Sequence, residues 1–302
     1  MKAVVLTAYG DIDKLELRDL PNPTAERDSI VVRMAGASIN PVDWKMRSGA
    51  AKAHFPVAFP GVLGRDASGE VVQVGADVTA FKLGDRVLGL VHGGYAEQVT
   101  APVECWAKVP AGLDLAEAGA LPLVLLTGAQ LLEGAVNPAS GWTVLVTGAT
   151  GSVGRVAVHA AKMRGVQVWA GVHGAQRKEA ERLEVSGVVV LDDPGNTERA
   201  PTFDAIADTV GGATIQTLYD RLKPGGTIGS VVGEPAGAKD RGFVVNAFMA
   251  HPDSAMLARF VEEVARRRLS IPIALKLPLA QAGDAQKVAE TQHPHGKVLL
   301  LG

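Results

Sequence analysis

A glycine-rich turn in the middle of the chain constrains the fold more than any other feature of the sequence. Gly148, Gly151 and Gly154 follow an apolar run, Trp142–Val146, and precede a helix-like run. Such glycines allow a tight turn and close backbone approach, so a pyrophosphate can bind the free amides at the start of the following helix. The spacing is GxxGxxG and glycine is abundant, with 35 of 302 residues, so a purely structural turn is the alternative. The preceding strand favours the phosphate site.

Composition excludes several classes of protein. A length of 302 residues suits about two domains of ~150 residues, and 47% hydrophobic with 21% charged residues is ordinary for a soluble α/β chain. The one cysteine, Cys105, rules out an internal disulfide and a cysteine-rich zinc site, so a reducing compartment, the cytoplasm, is expected. A net charge of -2 and the lack of a signal peptide or an apolar run of ~20 residues predict neither nucleic acid nor membrane as a partner.

The residues before about position 110 are typical of a β-rich domain. Short apolar runs between glycine and proline turns predict strands at Ala3–Thr7, Ser29–Ala35, Gly69–Val74, Arg86–Leu90 and Ala96–Thr100. Two short helices are predicted next, at Leu115–Leu121 and Thr127–Leu132, with Pro122 separating them.

From the glycine turn onward, strands and helices alternate, which is typical of a parallel sheet with right-handed crossovers. Strands are predicted at Trp142–Val146, Val166–Val172, Val188–Leu191, Phe203–Val210, Thr227–Val232 and Phe243–Met249, and helices at Ser152–Arg164, Gln176–Glu184 and Ala213–Leu222. This order predicts an α/β fold with a doubly wound Rossmann sheet. We predict a cofactor-binding Rossmann domain at 122–250, and a second domain at 1–121 to which residues 251–302 return.

The end of the second strand of the Rossmann domain indicates which nucleotide it binds. In such domains an acidic residue here accepts a hydrogen bond from the ribose 2′-hydroxyl of NAD. In this chain the strand is followed by His173, Gly174, Ala175, Gln176, Arg177 and Lys178, with no acid among them. Basic and small residues suit a 2′-phosphate, so the sequence predicts NADPH. The alternative is that Arg177 and Lys178 are solvated charges at a helix start.

Four blocks of the sequence resemble the medium-chain dehydrogenase/reductases. They are Ala37–Lys45, Gly64–Gly75, Phe81–Val87 and Leu121–Gly128, in the family's order. The resemblance is to the zinc-independent quinone oxidoreductase, or zeta-crystallin-like, branch. The Asn-Pro-Val-Asp-Trp-Lys block that starts at Asn40 looks most like quinone and enone reductases of the chloroplast-envelope type. This resemblance implies a GroES-like β-barrel fold for the first domain and an active site in the cleft between the domains.

The family's metal-ligand positions imply chemistry without a metal. Zinc alcohol dehydrogenases of the superfamily carry a cysteine where this chain has Asn40, and a His-Glu pair where it has Arg65 and Asp66. Neither asparagine nor arginine supplies the thiolate or imidazole that a catalytic zinc needs, and the four-cysteine structural lobe is missing too. No metal is expected, and alcohol oxidation is disfavoured. The resemblance then implies hydride transfer from NADPH to a quinone or to the β-carbon of an α,β-unsaturated carbonyl.

The resemblance also implies roles for individual residues. Asn40 and Thr127 would contact the nicotinamide end of the cofactor, and Trp44 would form a wall of the substrate pocket or be a core residue. The resemblance assigns Thr150, Gly151, Ser152 and Val153 to the pyrophosphate, and His173 and Arg177 to the 2′-phosphate. It assigns Val210, Gly211, Val232 and Gly233 to the strand ends that face the cofactor, and Phe248 to the surroundings of the nicotinamide. Relatives often place a tyrosine after the third strand, where this chain has Asp192 and Asp193, and a carboxylate there would repel a phosphate unless it points away.

The sequence indicates no definite proton donor. The tyrosines of the first domain, Tyr9 and Tyr95, lie outside the matched blocks. His54 could protonate an enolate or be a solvated loop residue, and solvent itself can supply the proton. Arg65 could anchor a carbonyl oxygen or pair with Asp66, and the pairing is favoured. Pocket walls are expected from the loops 46–60 and 233–242.

Other functions remain open. Tyr219 and Lys223 match the YxxxK motif of short-chain dehydrogenases, whose glycine turn has similar letters. Here, however, the turn lies in mid-chain and the two residues are predicted on one helix face. A catalytically silent NADPH-binding protein, crystallin-like or a sensor, explains the cofactor residues equally well. In either case the apolar edge strand Phe243–Met249 predicts a homodimer.

Overall fold

The computed structural model describes all 302 residues, which form two compact units. We call Met1–Leu123 with Pro252–Gly302 the split unit, and Val124–His251 the central unit. None of the helices is long and apolar enough to cross a membrane.

The strands are β1 Lys2–Leu6, β2 Leu15–Asp19, β3 Ser29–Ser38, β4 Gly61–Val62, β5 Asp66–Val74, β6 Arg86–Leu90, β7 Gln98–Pro102, β8 Trp106–Lys108, β9 Thr143–Thr147, β10 Gln167–Val172, β11 Gly187–Val190, β12 Phe203–Asp208, β13 Leu222–Ser230, β14 Val244–Ala247, β15 Ile273–Pro278 and β16 Lys297–Leu301. The α-helices are α1 Pro41–Ser48, α2 Leu115–Ala118, α3 Pro122–Gln130, α4 Ser152–Met163, α5 Arg177–Glu181, α6 Pro194–Glu198, α7 Gly212–Gln216, α8 Ser254–Ala265 and α9 Ala282–Thr291. A π-helical segment, Leu131–Val136, follows α3.

The central unit is built on one parallel sheet. Its strands lie in the order β11-β10-β9-β12-β13-β14, which is the 3-2-1-4-5-6 order of a doubly wound Rossmann sheet. Val144, Leu145 and Val146 of β9 are fully buried, as expected for a strand with both faces covered. The predicted Rossmann sheet is therefore confirmed, and the carboxyl ends of its strands share one edge.

The split unit is mainly antiparallel. A seven-stranded sheet has the order β15-β16-β3-β5-β6-β8, with β7 also paired to β3, and a smaller sheet has the order β2-β1-β4. The strand β3 pairs with β5, β7 and β16, so the C-terminal strand lies beside strands from the start of the chain. The helix α9 packs against β16 and α1, which covers one buried cluster of this unit.

The sequence predicts strands and turns but no helix before about position 110, and the helix α1 shows that this prediction was wrong. Pro41 occupies its first turn, Asp43 Oδ2 accepts a hydrogen bond from Asn40 N at 2.8 Å, and Gly49 ends it with φ 83. An N-terminal proline, an acid three residues after the cap and a C-terminal glycine are all helix signals. These signals would have identified Asn40 as the N-cap of a helix.

Two further boundaries differ from the predictions. Pro122 begins α3 rather than separating two helices, in the position where its missing N–H costs nothing. The predicted helix 213–222 is a single turn, α7, and the strand β13 already starts at Leu222. The Lys-Pro-Gly-Gly sequence forms an irregularity within β13, because the pairing to β12 steps from Phe203↔Leu222 to Ala205↔Thr227. The unpaired residues leave the ladder, so the proline is tolerated.

Candidate functional site

The glycine turn connects β9 to α4 in the geometry of a phosphate loop. Gly148 has φ 63, and a Cβ on Gly154 would lie 2.1 Å from the Gly148 carbonyl oxygen, so no side chain fits at either position. Gly151 is the N-cap of α4, and no side chain caps that end of the helix. Thr150 is buried, and its Oγ1 has no hydrogen-bond partner. Uncapped amides and an unpaired hydroxyl at a helix start are donors available to an anion.

A buried carboxylate, Asp208, fixes the strand ends beside this turn. Its Oδ1 accepts hydrogen bonds from Thr147 Oγ1 at 2.8 Å and Gly211 N at 3.0 Å, and its Oδ2 accepts one from Ser230 Oγ at 3.1 Å. Val210 N also donates to it. The carboxylate therefore joins the ends of β9, β12 and β13. Sequence reasoning missed Asp208, although an acid that closes an apolar strand run was the available signal.

The predicted residues at this edge are brought together. A Cβ on Gly211 would lie 2.7 Å from Val232 Cγ2, so these two positions are in contact. Val210 and Val232 are 41% and 47% exposed, so two apolar side chains are accessible at this edge. Gly233 follows with φ 108. Phe248 is half-buried at the end of β14, and its N donates to Ser230 O.

The carboxylate of Asp192, which follows β11, lies beside the end of β10. Asp192 Oδ1 accepts a hydrogen bond from Gly174 N at 2.8 Å, and its Oδ2 lies 3.5 Å from His173 Nδ1. The Gly174 N–H and the nearby imidazole hold the pKa of Asp192 below its usual range. The residues that follow β10 contain no acid, as predicted, and the carboxylate that reaches them is Asp192, one of the two acids named from the sequence after the third strand. Arg177 is exposed and pairs with Glu181 at 3.2 Å.

Asn40 lies in a buried polar network of the split unit. It is 1% exposed; its Nδ2 donates to Asp66 Oδ2 at 2.7 Å, and its Oδ1 accepts from Lys297 Nζ at 2.5 Å. Asp66 also accepts hydrogen bonds from Ser38 Oγ at 2.5 Å and from Leu123 N at 2.7 Å. The side chain of Asn40 is thus held on both sides.

Lys297 is the functional candidate that sequence reasoning missed. Its Nζ is buried, donates to Ile39 O at 3.0 Å, and lies 4.0 Å from Asp66 Oδ2. Burial lowers the pKa of Lys297, while the Asp66 and Asp43 charges raise it. A lysine that opens a continuous apolar strand was the signal, but its partners lie more than 200 residues away.

A second buried carboxyl adjoins Asn40. Asp43 Oδ2 accepts hydrogen bonds from Asn40 N and from Tyr95 OH, each at 2.8 Å. Burial raises the pKa of Asp43 to about 7, against the effect of these bonds. Burial, followed by the Asp43 charge, raises the pKa of Tyr95 well above its usual range. Tyr95 therefore belongs to the same network although it lies outside the matched sequence blocks.

Other predicted residues have less distinctive surroundings. Trp44 is half-buried against an apolar cluster of the split unit, and Thr127 is half-buried on α3. Ser152 and Val153 form the first turn of α4. Arg65 is 6% exposed and has no ion pair with Asp66, so the favoured pairing was wrong. No group of three or more His, Cys, Asp and Glu side chains is placed to hold a metal ion.

The short-chain dehydrogenase motif does not form a site. Tyr219 lies in a 3-10 turn and its OH donates to Ala236 O at 2.8 Å, whereas Lys223 lies in β13 and pairs with Asp204 at 2.6 Å. The two residues were predicted on one helix, and that prediction was wrong because β13 begins between them.

Comparison with known proteins places the chain in a family. The family model of the alcohol dehydrogenase GroES-like domain matches residues 26–111, and that of the zinc-binding dehydrogenases matches residues 187–300. The 2-methylene-furan-3-one reductase of Solanum lycopersicum is 30% identical over 317 residues, covering 99% of this chain and 79% of that protein. The chain belongs to the medium-chain dehydrogenase/reductase family. Its GroES-like and Rossmann parts are those that the sequence predicts.

Two other proteins are similar over nearly the whole chain. The chloroplastic NADPH-dependent alkenal/one oxidoreductase of Arabidopsis thaliana is 28% identical over 319 residues, covering 99% of this chain and 79% of that protein. The structure of the quinone oxidoreductase from Coxiella burnetii superposes with a TM-score of 0.88 at 28% identity, covering 100% of this chain and 99% of that one.

Proposed function

We propose that this medium-chain dehydrogenase/reductase uses NADPH to transfer a hydride to a quinone, or to the β-carbon of an α,β-unsaturated carbonyl, without zinc. The proposal rests on the identity and the hydrogen bonds of Asn40. It stands where zinc enzymes of the superfamily hold the metal, and its amide is committed to Asp66 and Lys297. The names of the relatives from Arabidopsis thaliana and Coxiella burnetii support the substrate class.

The residues of the central unit fit a dinucleotide. The unpaired Thr150 Oγ1 and the uncapped start of α4 offer donors to pyrophosphate oxygens. Gly151, Ser152 and Val153 would present their amides there, while the exposed Val210 and Val232 would border the cofactor. When bound, the dinucleotide supplies the hydride; the residues of this chain bind it, orient it and exclude water.

Asn40 would orient the nicotinamide end. Its Nδ2 donates to Asp66 and, at 3.3 Å, to Ser38 O, while its Oδ1 accepts one bond from Lys297. One lone pair of Oδ1 remains, and it can accept a hydrogen bond from a carboxamide or a ribose hydroxyl. The amide is held on both sides, so this acceptor has a fixed direction. We propose Thr127 and Phe248 as neighbours of the nicotinamide ring, and Trp44 as a wall of the substrate pocket.

The preference for NADPH is supported by His173 and Arg177, and by the name of the Arabidopsis thaliana relative. Asp192 opposes it, since its carboxylate faces the same loop. That carboxylate accepts the Gly174 N–H and lies beside the His173 imidazole, so its charge is partly offset. Arg177 is free to exchange Glu181 for a phosphate, because exposed ion pairs of this kind are worth under about 1 kcal/mol.

Titration with NADPH and NADH, followed by turnover with methyl vinyl ketone and a small quinone, tests the proposal. We expect NADPH to bind at least tenfold more tightly, and turnover to survive dialysis against a zinc chelator. Arg177→Ala should reduce the difference between the two nucleotides. Arg266→Ala is the matched control, because Arg266 forms a similar exposed pair with Glu262. Equal affinity for both nucleotides would contradict the NADPH preference, and loss of turnover on chelation would contradict zinc independence.

A silent NADPH-binding protein is the second candidate, favoured by one observation. Asn40 and Tyr95 are held by hydrogen bonds within the protein, and Asp43 Oδ2 accepts from both of them, so the tyrosine hydroxyl beside Asn40 is not free to donate a proton to a substrate. Tight NADPH binding without turnover across a broad panel of enones, quinones and alcohols would establish this function instead.

We propose a homodimer formed through β14. This strand pairs only with β13, and Val244 and Met249 beside it are 50% and 56% exposed. An open edge with exposed apolar residues is suited to pairing with a second copy. Sedimentation that shows only monomer at micromolar concentration would exclude this arrangement, and Val244→Lys should dissociate a dimer that does form.

The cytoplasm remains the compartment we propose. Burial raises the pKa of the Cys105 thiol to about 11, so this cysteine stays protonated and unreactive at neutral pH. It needs no disulfide partner, which suits a reducing compartment. Fractionation of the source cells, with detection of the native protein, tests the location.

A further inference from the structure

Arg65 carries a buried charge whose donors the protein leaves unused. It directly precedes β5 and is only 6% exposed. Its Nε and Nη1 are inaccessible to solvent and have no hydrogen-bond partner, and the guanidinium forms no ion pair. Burying a cation without partners is costly, and arginine's donors are otherwise nearly always satisfied. Such a group calls for an acceptor.

The neighbouring carboxylates do not provide that acceptor. Asp66 is taken up by Ser38, Asn40 and the Leu123 amide. The Oδ2 of Asp43 is bonded to Asn40 N and to Tyr95 OH, and its Oδ1 has no partner. Both acids act on Arg65 only through their charge, which raises the pKa of Arg65 against the larger lowering by burial.

An aromatic ring from a loop packs against the guanidinium of Arg65. The guanidinium carbon lies 5.2 Å from the centre of the Phe55 ring. A ring face stabilises the cation but has no lone pair for its N–H groups. Phe55 belongs to the segment between α1 and β4, where Lys52 and His54 are exposed. The closest aromatic group to these donors therefore belongs to a loop and not to the sheet.

The charges around Arg65 do not fully neutralise it, which favours the binding of an anionic oxygen. Asp66 is matched by Lys297, whose Nζ is 4.0 Å away. Burial raises the pKa of Asp43 to about 7, so its carboxyl is partly protonated at neutral pH. Burial and then the Arg65 charge lower the pKa of His92, so this histidine adds no second cation. The positive charge of Arg65 is thus incompletely balanced.

We propose that Arg65 binds the carbonyl oxygen of the substrate and stabilises the negative charge that develops on it. This inference rests on the proposed function for the identity of the substrate. Addition of hydride from the reduced dinucleotide forms a C–H bond at the β-carbon. The alkene π pair moves to the bond between the α-carbon and the carbonyl carbon, and the carbonyl π pair moves to oxygen. Arg65 donates hydrogen bonds to that enolate oxygen and keeps its own protons. A proton from solvent then adds to the α-carbon and restores the carbonyl group.

In this arrangement a fixed cation polarises the carbonyl at the sequence position where zinc enzymes place a metal-binding histidine. Removing one donor to a developing oxyanion typically lowers kcat by about 100-fold to 1,000-fold. We expect Arg65→Gln to lower kcat at least ~100-fold, with a smaller change in KM, because the interaction strengthens in the transition state. Arg65→Lys, which keeps a charge but loses the planar fork, should lie between Arg65→Gln and the unaltered protein. Arg33→Gln is the control, since Arg33 is an exposed residue paired with Glu70.

A binding measurement separates this role from a structural one. The phenolate of para-nitrophenol mimics an enolate oxygen and is detected by its absorbance. At a pH below the pKa of the free phenol, we expect the unaltered protein and Arg33→Gln to bind it as phenolate. Arg65→Gln should bind it at least tenfold more weakly. Low concentrations of guanidinium should restore phenolate binding and turnover to Arg65→Ala.

The outcomes distinguish this inference from the proposed function. If NADPH-dependent turnover occurs but Arg65→Gln keeps its kcat and its phenolate binding, Arg65 is not the oxygen anchor. If phenolate binding depends on Arg65 while no enone or quinone is reduced, the anion site stands and the proposed function fails. If Arg65→Gln does not fold, the lysine variant decides: unchanged kcat and unchanged phenolate binding would overturn the inference.

Discussion

Each unit is organised around a buried aspartate at a strand end, but the two aspartates have different partners. Asp208 of the central unit accepts hydrogen bonds from hydroxyls and backbone amides only. Asp66 of the split unit shares its surroundings with Lys297, Arg65 and Asp43, all of them titratable. A carboxylate among neutral donors fixes geometry, whereas one among buried charges also sets local protonation. The first arrangement suits a phosphate-binding edge, and the second suits the reacting end of a site.

Removal of Asp66 should have the largest effect. Asp66→Ala leaves Lys297 buried beside Asn40 without its counter-charge, and breaking a buried pair from one side costs about 3–5 kcal/mol. Denaturant unfolding followed by circular dichroism would measure this. Asp77→Ala, which breaks an exposed pair with Arg27, is the control and should cost under about 1 kcal/mol. A cost for Asp66→Ala no greater than the control would show that its surroundings are effectively solvated.

The pH dependence of stability should come from the split unit through Asp43. Its pKa is raised from 3.8 to about 7 in the folded state, so the folded chain binds the extra proton between these values. This contribution is full below about pH 4 and is lost as pH rises through 7. A shift of about three units at ~1.4 kcal/mol each gives a ceiling of ~4 kcal/mol.

Asp43→Asn, which mimics the neutral carboxyl, tests that contribution. The free energy of unfolding of the unaltered protein should fall relative to this variant between pH 4 and pH 7, and stay parallel above that range. Parallel curves throughout would mean that Asp43 is ionised in the folded state at all of these pH values.

Asp208→Ala should cost less than Asp66→Ala, because no buried cation loses its partner. The loss of hydrogen bonds to a charged acceptor predicts about 2 kcal/mol. The same substitution should weaken NADPH binding, since Gly211 and Val210 lose the acceptor of their amides. Fluorescence titration with the nucleotide, beside denaturant unfolding, tests both effects. A destabilisation equal to that of Asp66→Ala would remove the proposed distinction between the units.

The smallest effect on folding is expected at Gly151. A Cβ there meets only the Gly148 carbonyl oxygen, at 3.2 Å, so Gly151→Ala should cost under ~1 kcal/mol. It should nevertheless weaken NADPH binding, because the methyl group would lie at the amides that we propose as the pyrophosphate site. Gly154→Ala is the contrast, since its Cβ would lie 2.1 Å from the Gly148 carbonyl oxygen and should disrupt folding itself.

Local patterns in the sequence predicted much of the central unit and little of the split unit's polar network. The apolar runs and the glycine turn were enough for the strand order, because each crossover is completed within a short stretch of chain. The start of β13 was missed because the proline and glycines lie in an irregularity that only the pairing with β12 reveals. Lys297 and Asn40 meet across 257 positions, and Asp192 reaches Gly174 across the sheet. No local pattern contains such contacts.

The place of β16 in the split unit has a consequence for synthesis of the protein. Lys297, which neutralises Asp66 and holds Asn40, is translated long after both. On the ribosome the central unit, a contiguous segment, can fold as soon as it has emerged. The first part of the split unit lacks the Lys297 charge beside Asp66 until β16 pairs with β3. We therefore expect the region around Asp66 to stay open to chaperones on the nascent chain until β16 has been synthesised.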